Sequence, residues 1–210
     1  MELAKQKNYQ QSFDLACASI KGMDVEERAE KAGAVYRKEE KKMIIDFFSE
    51  PYPIHFPQVE FSSPSKKAVS LVVRVLLLHY LIRADGSPIT GTWLGYKDIP
   101  GGLLYAGVFA RRVTEPLLRK FGGSAKRFEE IGMQSGGKSA GIGDASFVLK
   151  ALPYVLLQYV LWEGDEEFPP SLRLLFDASV SHYLSLEDIV VLGQLATGRL
   201  LQRETNLVNP

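Results

Sequence analysis

An α+β domain, with an antiparallel sheet packed against several helices, is what this sequence predicts, and three observations carry the prediction. Segments with helical periodicity stand at both ends of the chain. Between residues 34 and 61 lie four short β-prone runs separated by charged or proline turns, and between 145 and 162 lie two longer apolar runs. Helices and strands do not alternate regularly, which argues against a doubly wound parallel sheet.

The elements follow in order. Tyr9 to Lys31 is helical with a break at Gly22; Asp24, with Glu27 three residues on, caps a second short helix, and Gly33 stops it. Ala34-Val35-Tyr36, Met43 to Phe48, Tyr52 to Phe56 and Val59-Glu60-Phe61 form a meander, and the prolines around His55 place that run at a sheet edge. Ser65 is in position to cap a long buried helix from Lys66 to Ala84, followed by an Asp85-Gly86-Ser87-Pro88 turn. Thr90 to Tyr96 reads as a strand. Asp98 to Gly102 reads as a loop into a helix from Leu103 to Phe121, kinked or restarted at Pro116 and stopped by Gly122-Gly123. Ser124 opens a short helix to Ile131, Gly132 to Gly143 is an exposed glycine-rich loop, and Ala145–Leu152 and Tyr154–Trp162 are central strands. In the last helix Ser185 and Asp188 form a capping pair, and Ile189, Leu192, Leu195, Ala196 and Leu200 share a face.

At 210 residues the chain is long enough for one sizeable core, and a single domain is expected. Twenty-five basic residues balance 25 acidic ones, so charge gives no reason to expect nucleic acid or an anionic membrane as partner. The single cysteine, Cys17, excludes an internal disulfide framework and a multi-cysteine metal site, and a reducing, cytoplasmic setting is expected. The opening residues lack the apolar core of a signal peptide, and the apolar stretch from Ala68 to Ile82 is short for a membrane span and carries Arg74 and His79.

Several patterns carry possible chemistry. Gly132 to Ser139 has the spacing of a phosphate-binding loop, in which backbone amides cradle phosphate and Lys138 neutralises charge, but a charged helical segment precedes it and further glycines up to Asp144 discourage the helix that should follow. An enzyme acting on a phosphorylated or anionic small molecule is the function such a loop would serve, with Lys138, Asp144 and the acidic cluster around Asp165 in the site. After Trp162 the carboxylates Glu163, Asp165, Glu166 and Glu167, with Asp177 as a possible spatial neighbour, form either a cation site or a charged turn; no calcium-loop spacing is present. His79 in its apolar helix is either an axial ligand or proton carrier, or a hydrogen-bonded core histidine. Trp93, Tyr96 and Tyr105, followed by Arg111 and Arg112, can line a pocket for a flat, anionic ligand, although core packing and a surface basic pair explain the same letters.

Leu78-His79-Tyr80-Leu81, Gly91-Thr92-Trp93, Pro100-Gly101-Gly102, Leu161 to Pro169 and Leu175-Phe176-Asp177 together resemble the family known as domain of unknown function 3786, over nearly the whole chain. The family is associated mainly with anaerobic bacteria and archaea, and some members carry an additional cysteine-rich iron–sulfur domain also seen in corrinoid proteins. This chain has one cysteine and lacks that pattern. The resemblance implies a ligand- or partner-binding module beside anaerobic redox or corrinoid one-carbon chemistry, with a small molecule or a corrinoid or redox protein as partner; it implies no catalytic residue and names no cofactor.

Overall fold

The computed structural model describes residues 2–62 and 68–208. Helices α1 (Glu2–Lys21) and α2 (Val25–Ala32) open the chain. The Asp24 carboxylate accepts from the amides of Glu26 and Glu27, and Gly33 ends α2 at φ 64°, a left-handed conformation that a side chain disfavours.

Four strands follow as a meander: β1 (Val35–Arg37), β2 (Lys42–Phe47), β3 (Glu50–His55) and β4 (Glu60–Phe61), paired antiparallel in that order. Met43, Ile45 and Phe47 alternate inward along β2. The His55 run is not an edge. In β3 Ile54 and His55 pair with Phe61 and Glu60 of β4, and Pro53 is tolerated because it faces that short strand, where its carbonyl accepts from Ser62.

Helix α3 (Leu71–Arg83) is apolar on nearly every side, with Leu76, Leu77, Leu78 and Leu81 fully buried. It starts later than the sequence suggests. Residues 68–70 are not helical, and the Ser70 hydroxyl accepts from the Val73 amide as the cap; Ser65 to Lys67 lie outside the described residues. Arg28 of α2 donates to the carbonyls of Ile82 and Ala84 at the far end of α3.

After β5 (Trp93–Gly95) come two 3₁₀ turns, Tyr96–Asp98 and Gly102–Tyr105, then α4 (Ala106–Phe109), a wide π turn over Ala110–Thr114, and α5 (Glu115–Phe121). The widening has a local cause. Pro116 has no N–H to offer the Arg112 carbonyl and its ring crowds that position, so the Glu115 amide reaches back to Ala110 instead. Helix α6 (Ala125–Gln134) leads to β6 (Lys138–Ser139), β7 (Ala145–Leu152), β8 (Val155–Trp162) and β9 (Ser171–Asp177), and α7 (Leu186–Val208) closes the chain.

The second sheet is fully antiparallel, in the order β5-β9-β8-β7-β6. One continuous core joins both sheets and the helices; at its aromatic centre Phe147 stacks on Tyr159 with Phe128 tilted against it, and the Phe48 amide donates to Ala151 across from the first sheet. No helix among the described residues is long and apolar enough to cross a membrane.

Candidate functional site

The N-terminus of α7 fixes the site's central pair. Ser185 and Asp188 form a reciprocal cap: the Asp188 amide donates to Ser185 Oγ, and Asp188 Oδ2 accepts from the Ser185 hydroxyl at 2.6 Å and from its amide at 3.3 Å. Oδ1 of the same carboxylate lies 2.8 Å from His79 Nδ1 on α3. Asp188 is only 7% exposed, so the cap and the histidine together occupy a carboxylate with little access to water. The hydrogen bond to Asp188 raises the His79 pKa above its ordinary value, against the opposing effect of burial. With Nδ1 engaged, Nε2 has no hydrogen-bond partner among the described residues.

His79 and Asp188 stand in the wall of a cleft of about 570 Å³ between α1, α3, the segment from Tyr96 to Arg112, and the start of α7. Tyr96 forms its floor, stacked on Phe109 at 4.4 Å with its hydroxyl 3.4 Å from the Leu186 carbonyl. Tyr105 stands exposed at the rim, after a turn in which Gly101 adopts φ 83°. Arg112 comes from the π turn and has no ion-pair partner among the described residues. Val72, Val75 and Leu76 of α3 and Val190 and Val191 of α7 supply apolar surface, and Tyr9 and Ser12 of α1 close one side. The volume suits a metabolite-sized ligand.

Of the residues the sequence singled out, His79, Tyr96, Tyr105 and Arg112 therefore converge. The others do not. Arg111 is exposed beside the cleft but does not line it, and Trp93 sits on edge strand β5, opposite Asp177. Trp162 ends β8, under the Arg173 guanidinium at 5.4 Å.

The glycine-rich segment lacks the geometry of a phosphate loop. Gly132 lies inside α6, packed on Phe147, and the amides of Ser135, Gly136 and Gly137 are spent on the helix's own last carbonyls. They cap a helix C-terminus, the end that repels anions. Lys138 then enters β6, opposite Val148 at the far edge of the sheet from β5, and a strand follows rather than a helix. Asp144 accepts from the Glu163 amide at 2.8 Å.

The acidic run is a turn. Asp165 Oδ1 accepts from the amides of Glu167 and Phe168, bonds that hold its pKa low, while Glu166 and Glu167 point into solvent. Asp177 is at the other end of β9, six residues or about 20 Å of strand from Ser171. Its carboxylate ties together Thr90, Gly91 and Ser179. Among the described residues no three His, Cys, Asp or Glu side chains gather as a metal site.

Asp188 is the cleft residue that sequence reasoning missed. Its spacing from Ser185 identified a cap, which it is, but nothing local signals a histidine 109 positions away. The contribution of α1 to the cleft had no sequence signal either.

No curated protein and no solved structure shows significant similarity to the chain. The profile of one family, Domain of unknown function (DUF3786), matches residues 24–199, a span that includes His79, Arg112, Ser185 and Asp188, and the chain belongs to that family.

Proposed function

We propose that the protein is a ligand-binding module whose cleft takes a flat, anionic small molecule. The observation that carries this reading is the convergence of the Asp188-held His79, the phenol rings of Tyr96 and Tyr105, and Arg112, unpaired among the described residues, around one cavity of mixed apolar and polar lining. Arginine recognises a carboxylate or sulfonate, aromatic rings take a planar body, and the Asp188 carboxylate fixes the imidazole's orientation. A setting beside anaerobic redox or corrinoid one-carbon metabolism rests on the family resemblance, and His79 Nε2, without a hydrogen-bond partner among the described residues, is the atom that would meet such a cofactor.

The probe is 8-anilinonaphthalene-1-sulfonate, a flat aromatic anion, followed by fluorescence. One site per chain is expected, weakened about tenfold or more in Arg112→Ala, the loss of one charge-assisted contact. Binding unaffected by Arg112→Ala and Tyr105→Ala overturns the assignment to this cleft. Aquacobalamin tests the corrinoid setting separately: a visible spectrum that shifts with the native protein but not with His79→Ala supports it, and an unchanged spectrum removes it.

A further inference from the structure

His79 has the arrangement of a general base. Its Nδ1 is held by a carboxylate that is itself immobilised by the Ser185 amide and hydroxyl, and the ring sits on a rigid helix, one-third exposed in the cleft wall. No hydroxyl or thiol is hydrogen-bonded to Nε2 among the described residues, so the geometry supplies no activated nucleophile. Besides water, what the imidazole can act on is a hydrogen of the ligand itself. Arg112 supplies the place for a carboxylate, and the apolar and phenolic walls the place for a ring.

We propose that the cleft is catalytic and that it transfers a proton at the carbon beside the carbonyl of an aromatic 2-oxo acid, with His79 as the catalytic base and Asp188 as its positioning residue. The inference rests on the ligand-binding reading above. In the step, Nε2 takes the proton from C3, the C–H electron pair becomes the C2–C3 double bond, and the carbonyl pair moves onto oxygen as the enolate. The imidazolium then returns a proton to that oxygen or to carbon, so no oxidant or second reactant is consumed. Among the described residues, Asp188 and Glu187 of α7, Arg83 of α3, Arg112 of the π turn, Tyr96, Tyr105 and Tyr9 of α1 are the titratable and charged groups around the ring.

Phenylpyruvate in D₂O is the probe, its C3 protons followed by NMR and its binding by displacement of the fluorescent anion. The native protein is expected to accelerate exchange, and His79→Gln to lose about 100-fold or more of that acceleration while keeping the native far-ultraviolet dichroism and a cooperative urea transition, which shows the variant folded. Because the base works neutral, the rate should rise as pH passes the His79 pKa. In Asp188→Asn the plateau should fall and the rising limb should move to lower pH, since the bond that raises that pKa is weakened. Phenylpyruvate that binds but exchanges at its spontaneous rate overturns catalysis and leaves the binding reading standing; phenylpyruvate and the fluorescent anion both failing to bind overturns both. A pH profile unchanged by Asp188→Asn overturns the positioning role.

Discussion

Asp188 serves two structural ends with one carboxylate, capping α7 and orienting His79, and the same geometry makes its effect pH-dependent. A histidine whose folded pKa is raised contributes stability below its unfolded value of about 6.5, and that contribution fades as pH climbs through the folded pKa. Asp177 behaves in the opposite sense. Burial pushes its pKa up, but the hydrogen bonds from Thr90, Ser179 and Gly91 outweigh it and the net shift is downward. Its stabilisation is therefore present above about pH 4 and lost as pH falls through the folded value. Asp177→Ala leaves those donors without their acceptor and is expected to cost about 3 kcal/mol at pH 7, measured by urea unfolding. Asp177 reads from sequence only as one more acid after an apolar run. Its partners lie up to 87 residues away, so its role as an anchor was not legible there.

At the scale of elements, α6 and its end decide what the Gly132–Ser139 motif is. Gly132 faces the Phe147 ring, which is itself held between Phe128 at 5.0 Å and Tyr159 at 5.1 Å. Gly132→Ala gains about 1 kcal/mol of helix propensity but forces a methyl group against that ring, a cost of about 1–3 kcal/mol, and overpacking should win because the ring has nowhere to move. A lowered urea midpoint for Gly132→Ala, beside an unchanged one for the exposed Lys138→Ala, is the expected pair of results. Equal midpoints would contradict the packing role. The helices, the meander and the central strands were readable because capping residues and periodicities of 3.6 and 2 are local signals, as at Asp24, Gly33, Ser185 and along β2. The start of α3 was not, since Ser65 and Ser70 are equally good caps by type, and α3 begins after Ser70, whose hydroxyl accepts from the Val73 amide.

Over the whole molecule, both sheets share one core, with α3 and α7 packed together beside the cleft. Chemical denaturation should therefore show a single cooperative transition, with the fluorescence of Trp93 and Trp162 and the far-ultraviolet dichroism coinciding; separate midpoints would reveal two folding units. The site was half legible for the same reason that the fold is one body. Tyr96, Tyr105 and Arg112 lie within one segment, which sequence can group. His79, Asp188 and the Tyr9 side of the cleft meet only through tertiary packing.

The most direct measurement is the imidazole nitrogen NMR spectrum of the native protein, with the His79 signal assigned by its absence in His79→Gln and followed with and without phenylpyruvate. A proton on Nδ1, a titration midpoint above that of an ordinary histidine, and a ligand-induced shift at His79 but not at His55 are the predicted results. An ordinary midpoint, or a ligand that perturbs His55 and leaves His79 unmoved, would contradict the account.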